Sequence, residues 1–228
     1  MLKARRPKVE RTPKRVLSLL GEVHRLLAAA AGHPLGAAVG LLFGCGLRVS
    51  EALAVGWDDV DLDGGKLTIR RAATYSQAYG LTLGPPKNRG AQGVVMLPAT
   101  VVALLRGRRV RQAEERLAAG PVWEIVEHGG RPVDLVFTTL SGGLVGRQRL
   151  TKVLGTIAVA AGIDPTGLGT HVGRRSLVTA LHSAGLDLGD ISRHVGHASA
   201  STTAGYVAHL ADRPETTGRA AAALVDGR

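Results

Sequence analysis

Aromatic residues make up only 3% of this 228-residue chain, and cysteine occurs once, as Cys45. A single cysteine excludes an intramolecular disulfide and gives no support to a thiolate metal site. With so few aromatic rings, the core has to be built mainly from Leu, Val and Ala. Gly, Arg or His interrupts each apolar stretch well before the roughly 18 residues that a membrane span needs. These absences indicate a cytoplasmic protein with no membrane contact. The length of 228 residues indicates one sizeable domain, or one domain with a short appendage.

Acidic residues are also scarce, since 18 Asp and Glu face 29 Lys and Arg, which gives a net charge of +11. This excess predicts a polyanionic partner such as nucleic acid; the alternative is a generally basic protein. Residues 1–15 carry seven Lys or Arg and one Glu, a net charge of +6. We expect residues 1–17 to form a basic arm or linker remnant, able to contact DNA phosphates.

Hydrophobic periodicity predicts a mainly α-helical domain with a small antiparallel β-sheet in the middle, an α+β fold. Helical spacing covers 17–31, 35–44, 48–55, 99–118, 147–161, 187–195 and 213–225, and another helix begins at Thr170. Strands are predicted within 66–71, 72–83 and 92–97. The turn 84–90 places Lys87 at or near a hairpin tip.

The predicted helix 99–118 carries a run of basic residues, which favours a solvated face over a phosphate-binding one. These residues are Arg106, Arg108, Arg109, Arg111 and Arg116.

Several residues that can cleave a phosphodiester are found in the last third of the chain. His171 and Arg174 are three apart, so they project from one side of a helix turn. His197 follows Gly196, a good residue for a helix end. Tyr206 is predicted to lie on a further short helix that Ser199 or Ser201 begins.

Cleavage of a phosphodiester without a metal needs a nucleophile, and Tyr206 is the candidate. Only about 0.1% of a free tyrosine is phenolate at pH 7. Arg48 and Arg174 supply cations that lower the tyrosine pKa and bind two phosphate oxygens in the transition state.

Proton transfer completes the chemistry. His171 can accept the tyrosine proton, and Lys87 can donate one to the leaving oxygen. His197 can hydrogen-bond a phosphate oxygen or the attacking group. No cofactor and no metal is needed, and neither HExxH nor CxxC is present.

Each candidate taken alone has a structural alternative. Tyr206 also suits an interface tyrosine, and His197 a helix-end histidine. His171 with Arg174 also suits a surface pair, and Lys87 an exposed turn lysine. Arg48 also suits an ion pair with Glu51.

The order of the segments favours the catalytic interpretation. GLRVSEAL (46–53) resembles the first box of the tyrosine recombinases, or phage integrase family, which places a catalytic arginine at Arg48 beside Glu51. The segment PPKNRG before VVMLP is similar to the family's hairpin lysine segment and gives Lys87.

The two carboxy-terminal boxes carry the more specific resemblance. THVGRRS (170–176) is similar to the HxxR element and gives His171 and Arg174. VGHASASTTAGYVAH (195–209) resembles the segment from the second histidine to the nucleophile, and gives His197 and Tyr206.

Four positions depart from the family's usual pattern. Gly173 stands where Leu is common, Arg175 where His is frequent, Val195 where Leu is usual, and Cys45 where Thr is frequent. These are packing positions, so we expect them to affect helix stability more than chemistry.

The resemblance implies a tyrosine recombinase catalytic-domain fold over 18–210, with 211–228 as a carboxy-terminal helix or tail that docks on a neighbouring protomer. It implies site-specific recombination, as in integration or excision by a mobile element, through a covalent 3′-phosphotyrosine. The expected partners are double-stranded DNA and three further copies, a homo-tetramer on DNA and a monomer in solution.

Because full-length members carry an amino-terminal core-binding domain, we expect either a catalytic-domain fragment or a minimal form. Two alternatives stay open: a type IB topoisomerase-like activity, and a non-catalytic DNA-binding or architectural protein on the same fold.

Overall fold

A computed structural model describes residues 15–86, 93–195 and 204. The helices in these ranges are α1 (His24–Ala30), α2 (Gly36–Gly44), α3 (Val49–Ala52), α4 (Ala99–Ala119), α5 (Arg147–Ala160), α6 (Thr170–Ser183) and α7 (Leu188–Val195). The strands are β1 (Val60–Asp61), β2 (Lys66–Thr68), β3 (Ala72–Ser76), β4 (Gly80–Gly84), β5 (Val94–Met96), β6 (Val126–His128) and β7 (Arg131–Val133). This confirms the predicted mainly helical fold with small antiparallel sheets. None of the helices described here is long and apolar enough to cross a membrane.

Helix α2 lies at the centre of the domain and is buried over nearly its whole length. It packs against α1, α3, α4, α5 and α6. Its largest side chains, Leu41, Leu42 and Phe43, are completely buried. Each contributes roughly 1.5–3 kcal/mol through removal of apolar surface from water. The apolar sequence of α2 therefore makes it the helix around which the other helices assemble.

Helix α6 approaches the main chain of α2 closely at Gly173. A Cβ atom at this position would lie 2.5 Å from the carbonyl oxygen of Leu42 and 2.9 Å from Cγ of Phe43. Contacts this short do not occur for real Cβ atoms, so a larger residue would push the two helices apart. The departure from the leucine expected at this position therefore has a packing reason.

The three-stranded sheet has the order β1-β2-β5 and is antiparallel throughout. Leu67 pairs with Val60 on one side and with Val95 on the other. The side chains of Leu67 and Val95 are buried, so one face of this sheet covers the core.

The strand predicted at 66–71 ends early, at Thr68, because the two arginines that follow turn toward a buried carboxylate. Arg70 Nε lies 3.2 Å from Oδ1 of Asp59, and Arg71 donates to Oδ2 of the same side chain. Asp59 is only 5% exposed, and these two cations offset the cost of burying its charge.

A separate hairpin forms where a single strand was predicted within 72–83. Strands β3 and β4 pair antiparallel, with Thr74 opposite Thr82, and the chain turns between Ser76 and Gly80. Strand β3 confirms the strand predicted within 72–83, and the turn after it adds β4 as a second strand.

The basic run on α4 is largely occupied by intramolecular contacts. Arg108 is 2% exposed, its two terminal nitrogens each lie 2.8 Å from a carboxylate oxygen of Glu115, and its Nε donates to the Val136 carbonyl. For Arg108 the prediction of a solvated face is therefore wrong. Three others also have partners: Arg106 pairs with Asp63, Arg109 lies over Trp57, and Arg116 lies over Trp123.

The segment at 15–17, the described part of the predicted basic arm, lies against α6. The main-chain N–H of Leu17 donates to Oγ of Ser176 at 2.8 Å, and Arg175 donates to the carbonyl of Arg15 at 3.0 Å. The Arg15 side chain in turn donates to the Thr166 carbonyl.

Gly173→Ala tests the close approach of α6 to α2. We expect it to lower the free energy of unfolding by roughly 1–3 kcal/mol, because the new methyl group collides with the α2 main chain. Gly155→Ala is the matched control, since a Cβ at that helical glycine meets no atom within 4 Å. The control is expected to stabilise the domain by about 0.5–1 kcal/mol. Urea denaturation measures both, and a Gly173→Ala domain as stable as the original would contradict the packing argument.

Candidate active site

Arg48 stands in an extended conformation immediately before α3, where its side chain and main chain are both held by Glu51. Nη1 of Arg48 lies 2.7 Å from Oε1 of Glu51, and the main-chain N–H of Arg48 lies 2.9 Å from Oε2. The Glu51 side chain is 3% exposed and that of Arg48 is 24% exposed. The ion pair considered as an alternative is therefore present, and it positions the arginine.

Arg174 projects from α6 into the interior and is 3% exposed. Its Nη1 donates to the carbonyl of Gly46 at 2.8 Å, and its Nη2 donates to the carbonyl of Val195. The first carbonyl lies two residues before Arg48, and the second ends α7. Arg174 therefore joins the turn that carries Arg48 to the point where α7 ends.

Gly46 makes this geometry accessible because its φ is +68°, in the left-handed region. A Cβ at this position would lie 3.0 Å from Cδ2 of Leu177. Glycine avoids both the backbone strain and this contact. The main-chain conformation of Gly46 in turn sets the direction of the carbonyl oxygen that accepts from Arg174.

A cleft of about 850 Å³ lies between α3, the β3–β4 hairpin and the adjacent starts of α5 and α6. Arg48 and His171 both line it, as do Tyr75 and Arg147. The sequence predicts no role for Tyr75 or Arg147, because neither residue stands in a recognisable motif. Only the arrangement of helices and hairpin places them beside the predicted residues.

The pKa of His171 is held below its ordinary value of 6.5. Partial desolvation is the largest cause, although the residue as a whole stays exposed, and the positive charges of Arg147, Arg175, Arg174 and Arg48 add to it. All of these effects disfavour the imidazolium. His171 is therefore neutral at pH 7 and able to accept a proton.

The structure thus brings two of the six predicted residues, Arg48 and His171, into one cleft, and buries Arg174 against the carbonyls of Gly46 and Val195. Lys87, His197 and Tyr206 lie outside the described residues, so their positions stay predictions. The described residues nearest to Lys87 are Pro86 and Gly93, and the one nearest to His197 is Val195.

This combination defines a class of site: a cleft with an oriented arginine and a neutral imidazole, on a helical domain with small antiparallel sheets. Comparison with known proteins gives the family. The model described as "Phage integrase family" matches residues 12–213. The chain belongs to the phage integrase family.

Two relatives illustrate the similarity. The chain is 30% identical over 204 residues to a protein named "Tyrosine recombinase XerC-like" from Caldanaerobacter subterraneus subsp. tengcongensis, covering 86% of this chain and 50% of the relative. It is 29% identical over 194 residues to an "Integrase" from Streptomyces ambofaciens, covering 84% and 48%. The chain therefore spans about half the length of the curated relatives it matches.

Solved structures share the fold at lower identity. The Tn1549 transposon integrase in complex with transposon right end DNA superposes with a TM-score of 0.69 at 18% identity, covering 86% of this chain and 62% of that one. The XerA recombinase superposes with a TM-score of 0.59 at 23% identity, covering 86% and 61%.

Titration of His171 tests the electrostatics of the cleft. We expect its imidazole to titrate below pH 6.5, followed by NMR and assigned by comparison with His171→Asn. Because the folded-state pKa is lowered, the stability that His171 supports at neutral pH is lost as pH falls below about 6.5 toward the folded-state pKa. Acidification should therefore destabilise the original protein more than the His171→Asn variant. A midpoint at or above 6.5 would contradict this description.

Proposed function

We propose that this chain is the catalytic domain of a site-specific tyrosine recombinase, which cleaves and rejoins double-stranded DNA through a covalent 3′-phosphotyrosine at Tyr206. One observation carries the proposal. Arg48 and His171, which are far apart in sequence, line one cleft, while Arg174 ties the turn before Arg48 to the end of α7. From that end the chain runs on to His197 and Tyr206.

In this mechanism the scissile phosphate binds against the guanidinium of Arg48, which Glu51 holds from the other side. Charge builds on the non-bridging oxygens as the pentavalent transition state forms, and an arginine fixed in advance stabilises that charge without reorganising. Arg174 is the second arginine of the phosphate site, and its bonds to main-chain carbonyls fix its position. His197 supplies a further hydrogen bond to phosphate.

Neutral His171 accepts the phenolic proton as the oxygen of Tyr206 attacks phosphorus. The bond to the 5′ oxygen breaks, and that oxygen takes a proton from Lys87. The product is a 3′-phosphotyrosine and a free 5′ hydroxyl. Attack by the 5′ hydroxyl of a second strand reverses these steps and joins the strands, with no cofactor in the scheme.

Recombination joins two duplexes, so we propose that four copies assemble on DNA from free monomers, each docking its segment 211–228 on a neighbour. Similar solved structures support a DNA substrate, since the Tn1549 transposon integrase is in complex with transposon right end DNA and the XerH site-specific recombinase is bound to a palindromic difH substrate. Integration or excision by a mobile element, in the cytoplasm, is the proposed setting.

Two other functions fit the same fold. A type IB topoisomerase-like enzyme would form the same phosphotyrosine but relax supercoils without joining two duplexes. A DNA-binding or architectural protein would bind without any covalent adduct. The cleft favours catalysis because pure binding has no need of a neutral imidazole beside an oriented arginine.

Covalent trapping separates these functions. The protein is mixed with nicked or supercoiled DNA that contains candidate attachment sites, quenched in detergent and examined for a protein–DNA adduct. We expect an adduct with the original protein, and none with Tyr206→Phe, which removes the nucleophilic oxygen but leaves DNA affinity unchanged. Tyr75→Phe is the matched control, because this second tyrosine lines the cleft, and it should still form the adduct.

The outcomes are distinct. Adduct formation by Tyr206→Phe would exclude Tyr206 as the nucleophile, and its loss only in Tyr75→Phe would move the assignment to Tyr75. Binding without any adduct, also after an amino-terminal core-binding domain has been added, would support the DNA-binding alternative. Joining of two duplexes, rather than relaxation alone, excludes the topoisomerase-like activity.

Lys87→Ala tests the general acid. We expect cleavage to slow by about 10²–10⁴-fold, the usual contribution of a positioned acid. A substrate with sulfur at the bridging 5′ position should restore the rate, because a thiolate leaves without a proton. Arg89→Ala is the control variant. If Lys87→Ala cleaves at the original rate and Arg89→Ala does not, the acid assignment moves to Arg89.

A further inference from the structure

The start of α5 forms one wall of the cleft that holds Arg48 and His171. Gly146 precedes the helix in an extended conformation, and Arg147 and Gln148 begin it. All three line the cleft. A residue with no predicted role therefore brings a third positive charge to the predicted site.

Arg147 differs from the other arginines of the site in its partners. Arg48 is paired with Glu51, and Arg174 donates to two main-chain carbonyls. Within residues 15–86 and 93–195, the Arg147 side chain makes no hydrogen bond and has no carboxylate within ion-pair distance. It is also exposed. Its charge is therefore available to a ligand in the cleft.

The main chain beneath Arg147 is firmly held. Leu150 and Leu154, one and two turns further along α5, are completely buried. The preceding loop is fixed by a bridge between Thr138 and Leu144, and the N–H of Gly143 donates to Oγ1 of Thr139 at 2.9 Å. A guanidinium on a fixed helix start is presented at a defined place on the cleft wall.

Proximity to His171 gives a second indication of that place. Among the positive charges that lower the His171 pKa, that of Arg147 has the largest effect, ahead of those of Arg175, Arg174 and Arg48. The Arg147 charge therefore acts on the same part of the cleft as the proposed base.

We infer that Arg147 is a further DNA-contacting residue, whose guanidinium binds a non-bridging oxygen of a backbone phosphate in the cleaved strand and positions that strand beside Arg48 and His171. This inference rests on the proposed function, since it takes DNA as the occupant of the cleft. The first N–H groups of α5 have no acceptor within the helix and add to the attraction for an anion.

Arg147→Gln and Arg149→Gln form a matched pair for the test. Both arginines are exposed in the first turn of α5, but only Arg147 lines the cleft. Loss of one phosphate contact reduces the slope of log Kobs against log salt concentration by about 0.9. We expect this reduction, and about tenfold slower cleavage, for Arg147→Gln, whereas Arg149→Gln stays within about twofold of the original rate. Arg147→Lys keeps the charge and should recover most of the slope.

Substitution on the DNA identifies the contact itself. Each phosphate around the nick is replaced in turn by an uncharged methylphosphonate, and affinity is measured for the original protein and for Arg147→Gln. At one phosphate, the affinity lost through the methylphosphonate and the affinity lost through Arg147→Gln should not add, because both changes remove the same contact. Additive losses at every phosphate, or equal behaviour of the Arg147 and Arg149 variants, would overturn the inference.

The pH profile supplies a readout that a merely structural role would not change. The charged groups that act on His171 are Arg147 on α5, Arg174 and Arg175 on its own helix, and Arg48, which pairs with Glu51 before α3. Tyr75 lines the same cleft. Removal of the Arg147 charge raises the His171 pKa, so the acidic limb of the cleavage profile should move to higher pH.

Failure of this inference is distinguishable from failure of the proposed function. If no adduct forms, also after an amino-terminal core-binding domain has been added, the recombinase proposal fails, while the salt slopes and methylphosphonate affinities still decide whether Arg147 contacts DNA. If the original protein forms the adduct and the two glutamine variants behave alike, the recombinase proposal stands and the role of Arg147 is excluded.

Discussion

The buried guanidinium of Arg174 is the interaction on which the site depends. Removal of an arginine from water is costly unless its N–H groups find acceptors, and two of them here are the main-chain carbonyls of Gly46 and Val195. These carbonyls belong to segments that are far apart in sequence, one leading to Arg48 and one ending α7. The preceding residue, Gly173, sets how closely α6 approaches α2. Helix packing and site geometry are therefore determined by neighbouring residues.

The charges around the cleft are compensated to different degrees, and this gives each one a different function. Glu51 offsets the charge of Arg48 and fixes its direction, while Arg174 donates to the main-chain carbonyls of Gly46 and Val195. Partial desolvation, and after it the surrounding positive charges, lower the pKa of His171 and keep its imidazole unprotonated. The same field that attracts a phosphate thus also prepares a base, because a cationic imidazole would be unable to accept a proton.

The sequence predicted the long periodic helices well, because their apolar stripes are local properties, and α2, α4 and α5 lie close to the expected ranges. It also placed His171 and Arg174 on one helix turn. It did not predict that the first lines the cleft while the second is buried, since that depends on what packs against α6. The partner of Arg108 and the position of Arg147 were missed for the same reason. Nothing local distinguishes Arg147 from Arg149; only the tertiary arrangement does.

The contact of the segment 15–17 with α6 has a mechanical consequence. Ser176 accepts from the main chain of Leu17 and donates to the carbonyl of Val172, the residue that follows His171. A displacement of the chain at Leu17 is therefore transmitted through two hydrogen bonds to the turn that carries the proposed base. The segment acts as a tether on the helix that carries the proposed base, so a force on the upstream chain also acts on the geometry of the cleft.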